Sequence, residues 1–537
     1  RSTRKESSAE SDVYKRQLVF LTFLGKVLRR KKTFFRFKGS FPAYCFLSLV
    51  MMVLVFGGAR GGYGALVLAP KYSDFSESEF VNQIALNGVI ALEKTIQLRR
   101  TKNNDNYNML AAMGYKKGIH DAYTDYLGFD VSGTKRELLI NLLKRKTAVN
   151  PQYEKQKRNV VVIVMESFGS NWIQYNEESF NFMGDLKKHF AEDYFFENFI
   201  SSENGTIGSL MTLLTNTPPR PGKRFLSESK YMRLPLESSS NIPYQRAGYE
   251  AFFVYGGKLG WRDIGKYARI QGYDHSVGES GIRKKLKLKG QRGTEWGLYD
   301  EHFFDYILKE LEGSSRPKFF VGLSTSNHPP FDYPSDFVMP EINIPAKLEG
   351  RITREEQLFI ERFKAFSYAN YSLAKFLDKI KNSQLAENTI VAVTGDHNFW
   401  GFMNYNKEEV FKKYTVPLYL YFPNSKNKNK DEYLKKIGSH EDIMTTLYNL
   451  SLSGQEYLSF GEDLLSESES IGINSSLLAG KRGVTYKGKN FFWSEQRNVM
   501  TKSTNEKFES LDQRYRSIMS IVDKFLEDSL KNYNKSN

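Results

Sequence analysis

The chain of 537 residues holds a single cysteine, Cys45. A lone thiol forbids any intrachain disulfide and removes the multi-thiolate sites that bind structural zinc. Long apolar runs are missing after residue 60, where hydrophobic residues are too interspersed for a polytopic membrane protein. No internal repeat or low-complexity segment appears, and no zinc-finger or aromatic RNA-binding pattern follows residue 60. What is present is 40% hydrophobic and 14% aromatic, too much for a disordered chain. The length suits roughly two to four domains, one with a large buried core.

A formal net charge of +16 points first to a polyanion, nucleic acid or anionic membrane. Its distribution decides between them. Residues 1–40 carry twelve Lys or Arg against three Asp or Glu, a net of +9, which leaves +7 for the other 497 residues. Seven of these cations (Lys26, Arg29, Arg30, Lys31, Lys32, Arg36 and Lys38) directly precede the uncharged run FPAYCFLSLVMMVLVF at 41–56, which Gly57, Gly58 and Ala59 extend to nineteen residues. About 20 residues span a bilayer as a helix. Residues 41–59 are therefore expected to form a transmembrane helix, with the basic segment cytoplasmic and the chain after it outside. A secretory signal peptide fits less well, because no small-residue cleavage site stands out. The basic segment 18–40 opens on an apolar stretch at 18–24, too short to span but suited to the end of an earlier transmembrane helix. Residues 1–17 read as a non-native leader.

Residues 60–157 show helical periodicity in pieces, at 79–98 and 135–146, and read as a helical connector. From 158 to 500 the pattern changes. Apolar, mostly β-branched or aromatic runs at Asn159–Met165, 251–255, 319–324, 389–394 and 416–422 read as buried strands. Helical stretches lie between them at Asp300–Glu312, 354–380 and 441–450. Strands alternating with helices predict an α/β sandwich around a largely parallel central sheet. Residues 501–537 are expected to form a C-terminal helix and a polar tail that frays beyond Leu530.

In such sheets, sites gather at the carboxyl ends of the strands. The first run leads into Glu166. The run at 389–394 continues into GDH, setting Asp396 beside His397, with Gly395 suited to a tight turn. The run at 319–324 leads into STSNHPPF, where the prolines hold His328 in extended chain. Two carboxylates and an imidazole at strand ends form a mixed oxygen and nitrogen donor set suited to Mn²⁺, Mg²⁺ or Zn²⁺. Singly, Asp396 reads as a helix cap and Glu166 as a solvated acid; three strand ends together are far more specific. In SSENGTIGSLMTLLTN, residues 201–216, Thr206 opens a helical apolar pattern at Ile207, Leu210, Met211 and Leu214. A hydroxyl there faces free N–H groups and a dipole that favour a phosphate-like anion, although a plain capping role is the simpler reading. As a nucleophile it needs activation, which a metal ion can supply.

Eight ordered blocks carry a family resemblance: FVNQIALNG at 80–88, NVVVIVMESFGSNW, ENGTIGSL, WRDIGKYARIQGYD, WGLYDEH, STSNHPPF, NTIVAVTGDHNFWG and VPLYLYFPN. From about residue 41 to 465 the chain resembles the lipoteichoic acid synthase and phosphoglycerol transferase family, within the sulfatase and alkaline phosphatase-like fold. The resemblance implies a sulfatase-like catalytic domain at 158–500, held outside a bacterial cytoplasmic membrane. It implies that Glu166, Thr206, Asp396 and His397 bind one divalent metal, Mn²⁺ by preference, and that Thr206 is the nucleophile that carries glycerol-phosphate. It assigns Arg262 and His328 to the substrate's phosphate and glycerol as catalytic groups, with Trp261 beside them. The implied donor is phosphatidylglycerol or a similar anionic phospholipid. The implied acceptor is a polyglycerol-phosphate chain, a glycolipid or a glycan, and no nucleic acid is involved.

Around Trp261 the family's pattern is broken. No residue separates Trp261 from Arg262, and one more precedes Gly272-Tyr273-Asp274, so Arg269 competes with Arg262 for the phosphate. Tyr255 is a weaker candidate for the same pocket, and the basic run at 283–292 has no counterpart. Three other readings stand beside the main one. A phosphoethanolamine transferase would share the fold, but its usual disulfide-rich domain needs more than one cysteine. An arylsulfatase would need a C/S-x-P-x-R motif where GTIGS stands. A silent lipid-binding ectodomain would be marked by loss of a metal ligand, and all four candidates are present.

Overall fold

The computed structural model describes residues 41–60, 107–313, 316–399, 401–423, 430–493, 500–504 and 508–536, with isolated positions at 81 and 96. The expected leader at 1–17, the basic segment at 18–40, nearly all of the helix expected at 79–98 and the block at 80–88 lie outside the described residues. The chain divides into two compact units, 1–69 and 70–537. In the first, helix α1 (Phe41–Arg60) covers the expected span, and its Phe46, Leu49, Met52 and Val55 are exposed. Its described side chains stop at Val55. Among the described residues no helix is long and apolar enough to cross a membrane.

The second unit is built on a seven-stranded mixed sheet. Its strands are β1 (Asn159–Met165), β2 (Tyr194–Phe196), β3 (Glu250–Tyr255), β4 (His275–Val277), β5 (Lys318–Leu323), β6 (Thr389–Gly395) and β7 (Leu418–Tyr421). They lie in the order β2-β7-β6-β1-β5-β3-β4. The pairings from β6 to β4 are parallel, and those at the β2-β7-β6 edge are antiparallel. The central strands β1, β5 and β6 are buried along their whole length, which is why they read as unbroken apolar runs. Successive side chains point to opposite faces. Val160, Val162 and Val164 share one core with α3 (Thr206–Thr215) and α7 (His440–Ser451). Val161, Ile163 and Met165 share the other with α5 (Asp300–Glu312) and α6 (Glu356–Lys381). The result is the expected α/β sandwich.

Three expectations give way at its margins. The periodicity at 135–146 resolves into a 3₁₀ helix, Arg136–Leu143, followed by a strand, Lys144–Lys146, that pairs with Glu456–Leu458. The tail does not fray at Leu530, because α8 (Glu509–Ser536) continues as one helix. Leu530 and Tyr533 still pack against the core that α8 shares with α2 (Ile119–Leu127). Between α7 and α8 in the chain lies a five-stranded antiparallel meander that no sequence pattern marks: β8 (Gly472–Asn474), β9 (Leu477–Gly480), β10 (Gly483–Tyr486), β11 (Lys489–Trp493) and β12 (Met500–Thr504). A domain boundary at 500 would cut its last strand.

Candidate active site

Four neighbouring parallel strands, in the order β6-β1-β5-β3, deliver their carboxyl ends to one region. β6 ends at Gly395 because a Cβ there would stand 2.3 Å from the carbonyl oxygen of Phe168. Close approach of the β1 loop, not a left-handed turn, demands the glycine. Asp396 then donates its N–H to the Met165 carbonyl at 3.1 Å, which ties the two strand ends together. Its carboxylate Oδ1 accepts the backbone N–H groups of Ser167 and His397, both at 2.7 Å. Ser167 adopts the left-handed φ of 52° to make that bond, and its hydroxyl donates to Glu166 Oε1 at 2.8 Å. A non-glycine residue at such a φ costs about 1 kcal/mol or more, and such strain is common at working sites.

Glu166, Asp396 and His397 offer one ligand atom each within 4.8 Å of one another. His397 Nδ1 lies 2.8 Å from the Asn398 carbonyl, which places its proton there and turns Nε2 to 3.4 Å from Asp396 Oδ2. That Oδ2 is fully buried and completes no hydrogen bond. Burial first, and then the charge of Glu166, raise the Asp396 carboxyl to about 6, against the opposing pull of His397, the Thr206 hydroxyl and the Ser167 N–H. Burial lowers the His397 imidazole, but Asp396 and Glu166 outweigh it and the net shift is upward. Two buried carboxylates, one of them with an orphaned oxygen, and an imidazole form a donor set that fits a divalent cation.

A second triad, His189, Glu192 and Asp193, has similar spacing. There the Lys381 ammonium already stands 2.7 Å from Asp193, 3.1 Å from Glu192 and 3.1 Å from His189 Nδ1. A lysine holds the place a metal would take.

Thr206 is the first residue of α3, a ten-residue helix, and its hydroxyl acts on Asp396. The structure therefore brings Glu166, Thr206, Asp396 and His397 together. His328 sits on the loop after β5, its ring 3.7 Å from that of Trp296 and its Nδ1 3.0 Å from the Pro329 carbonyl. Arg262 is placed differently. One guanidinium nitrogen, Nη1, donates to both Glu228 carboxylate oxygens at 2.8 and 2.9 Å, and the guanidinium lies 5.6 Å from the Trp261 ring. Arg262 and Asp263 both adopt left-handed φ, 50° and 54°, where the family pattern is broken. Arg269 is exposed on α4 (Ile264–Ile270). Tyr255 is buried, and its phenol is raised by burial and by the charges of Glu166, Asp396 and Glu279.

Several residues here escaped sequence reasoning. Asn327, at φ 75°, donates to the carbonyls of Glu166 and Ser167 at 3.0 and 3.3 Å. Asn398 accepts from Trp172 Nε1 at 3.1 Å and donates to Asn171 Oδ1 at 2.7 Å. Arg362 of α6 is buried, with its guanidinium 4.1 Å from the Phe399 ring, 4.8 Å from Phe331 and 5.5 Å from Phe402. Its Nε and one terminal nitrogen complete no hydrogen bond. Burial lowers it to about 9 against the attraction of Glu166 and Asp396. The asparagines directly flank the two histidines; Arg362 sits in a charged helical stretch and gave no signal.

The sulfatase family model matches residues 158–451, more than half of the chain. The chain belongs to the sulfatase family. Its sheet is that of an alkaline phosphatase-like α/β fold. A protein in the alkaline phosphatase superfamily from Vibrio parahaemolyticus superposes with a TM-score of 0.59 at 18% identity, over 79% of this chain and 97% of that one. The lipoteichoic acid synthase LtaP from Listeria monocytogenes does so with a TM-score of 0.54 at 18% identity, over 72% and 96%. In sequence, this sulfatase-family chain is 26% identical to lipoteichoic acid synthase 1 of Bacillus subtilis (strain 168) over 408 residues. That match takes in 71% of this chain and 59% of the relative's length.

Proposed function

We propose that the protein is a membrane-anchored, metal-dependent phosphoglycerol transferase. It moves glycerol-phosphate from phosphatidylglycerol to an envelope acceptor through a covalent intermediate on Thr206. The observation that carries this reading is a hydroxyl at a helix N-terminus set against Asp396, beside Glu166 and His397. The similarity to lipoteichoic acid synthases supports the donor class, and the exposed apolar face of α1 behind a run of cations supports the anchor. The catalytic unit would then lie outside the cytoplasmic membrane.

A divalent ion, with Mn²⁺ favoured over Mg²⁺ or Zn²⁺, would be held by Glu166, Asp396, His397 and the Thr206 oxygen, where it would favour the ionised hydroxyl and neutralise phosphoryl charge. The protein's own groups do the rest. Thr206 loses its proton to solvent on ionising, and its oxygen then bonds to phosphorus and is restored in the same ionised form when that bond breaks in the second step. The bond from phosphorus to the diacylglycerol oxygen breaks, and that oxygen takes a proton from His328, whose Nδ1 contact with Pro329 directs proton traffic through Nε2. Arg262 exchanges the Glu228 carboxylate for the phosphoryl oxygens. An acceptor hydroxyl then bonds to phosphorus, its proton passes to His328, and the bond to Thr206 breaks. Arg362, too deeply buried to touch substrate, holds the loops of His328 and His397 through Phe331 and Phe399.

Mass spectrometry of Thr206 after incubation with phosphatidylglycerol and Mn²⁺ tests the reading. A glycerol-phosphate adduct is expected, and Thr206→Ala should release no diacylglycerol. An adduct from phosphatidylethanolamine instead would identify the phosphoethanolamine class. Full diacylglycerol release by Thr206→Ala would refute the mechanism.

A further inference from the structure

The residues before Thr206 form no helix or strand from 201 to 205, so their polar groups must find partners elsewhere. One side of the loop is held by the core. Ser201 donates its N–H to the Tyr414 carbonyl at 3.1 Å, and Ser202 donates its N–H to His440 Nδ1 at 3.3 Å and its hydroxyl to Glu441 Oε1 at 3.0 Å. The other side is held by the two-residue turn, Ser475-Ser476, that joins β8 to β9. Asn474 Nδ2 donates to the Ser201 carbonyl at 2.7 Å and to Asn204 Oδ1 at 3.2 Å. Ser475 donates its N–H to the Ser202 carbonyl at 3.0 Å and its hydroxyl to Glu203 Oε2 at 2.8 Å. Asn204 Nδ2 donates to Ser476 Oγ at 3.0 Å. Every residue from 201 to 204 is bound by this one hairpin tip, and Asn204 stands two residues before Thr206.

We propose that the β8–β9 hairpin is a positioning element for the nucleophile, with Asn474 its central residue. Asn474 is suited to the task because its two side-chain atoms act in different directions. Its buried Oδ1 accepts the Ser476 N–H at 2.9 Å and holds the turn, while its Nδ2 reaches across to the loop. The hairpin lies beyond residue 451, outside the matched family segment. Because Thr206 begins α3, any displacement of 201–205 displaces its hydroxyl from Asp396. A misplacement of about 1 Å can cost on the order of 100-fold in rate. The proposal rests on Thr206 being the nucleophile.

Asn474→Asp separates the two roles, since it keeps the turn acceptor and loses the donor to the loop. Hydrogen exchange read by mass spectrometry should quicken about 10-fold or more across 201–206, with β1 and β6 unchanged. With phosphatidylglycerol and Mn²⁺, kcat should fall roughly 10- to 100-fold while KM stays within about 2-fold. Ser475→Ala removes one exposed hydroxyl, should fold in any case, and is expected to show a smaller loss of the same kind, roughly 3- to 10-fold. Unchanged exchange at 201–206 in both variants overturns the proposal, as does faster exchange with unchanged kcat. A wild-type protein that forms no Thr206 adduct would defeat the functional reading, while exchange would still decide whether the hairpin clamps the loop.

Discussion

Protons and a divalent cation should compete for the site, and the titration of its own groups sets the scale of that competition. Burial and the neighbouring Glu166 charge lift the Asp396 carboxyl to about 6, and His397 is shifted upward by Asp396 and Glu166. Both groups must lose their protons to serve as ligands, so affinity has to fall as pH falls. For Asp396 alone the apparent dissociation constant rises by the factor one plus ten to the power of pKa minus pH. With a pKa of about 6, the factor is roughly 1.1 at pH 7, 2 at pH 6 and 10 at pH 5. His397 adds a second proton at the same end of the scale, so the loss at pH 5 should exceed about 10-fold. Isothermal titration of Mn²⁺ into metal-free protein between pH 5 and 8 gives the affinities. Repeating it in two buffers of different ionisation enthalpy counts the protons released, which should exceed one per ion at pH 5 and fall as pH rises. An affinity that changes less than about 2-fold from pH 7 to pH 5, or binding at pH 5 without proton release, would refute this account of the site.

Asp396→Asn keeps an oxygen for the N–H groups of Ser167 and His397 but removes the buried charge beside Glu166. It should abolish Mn²⁺ binding and cut turnover more than about 1000-fold; the metal-free melting temperature should stay level or rise, and a large drop would show that the carboxylate is structural. Glu228→Gln loosens the hold on Arg262 Nη1 across a partly exposed pair, so stability should move by less than about 1 kcal/mol. KM for phosphatidylglycerol should fall with kcat nearly constant, and a rise in KM would place Arg262 outside the substrate's reach. Trp172 is fully buried, stacked on Phe399 at 4.6 Å and 3°, and bonded to Asn398 next to His397. Trp172→Ala should cost about 3–5 kcal/mol in urea unfolding, and a loss below about 1 kcal/mol would mean that the aromatic core under the site repacks freely.

The strands that could be read from the sequence are those buried on both faces. β1 was located to the residue, and β3, β5 and β6 to within a residue or so, because a two-sided core demands an unbroken apolar run. β2 and β4 are three residues each, too short to register as a pattern, and they form the sheet's edges. The meander from β8 to β12 is rich in Gly, Asn, Ser and Lys, so neither a period of two nor an apolar run marks it. α8 was underestimated for a related reason. Its polar residues dominate the sequence, and only tertiary contact shows that Leu530 and Tyr533 still pack on the core.

In the site, the legible residues were those whose position follows from local chain direction. Glu166, Asp396 and His397 follow directly on strands, and Thr206 opens a helix, so each could be placed by knowing where its own element ends. Arg362 could not. It stands between Glu361 and Phe363 in a stretch that reads as a solvated helical face, and its three aromatic neighbours come from two distant loops. Yet Arg362 makes sense of the site's charge. Glu166 and Asp396 bring two negative charges into a buried space, and Arg362 and a protonated His397 supply two positive ones. The metal-free cluster is thus near balance, and its cost of burial is held down by mutual attraction. A divalent ion entering such a cluster adds two more positive charges beside a guanidinium that keeps its proton below about pH 9. In that charge state His397 holds the proton that is released in exchange. The Arg362 charge holds the His397 proton off, so Arg362→Met should raise the number of protons released per ion while leaving Glu166, Asp396 and His397 in place, and an unchanged or smaller number would show that Arg362 does not act on the site's charge.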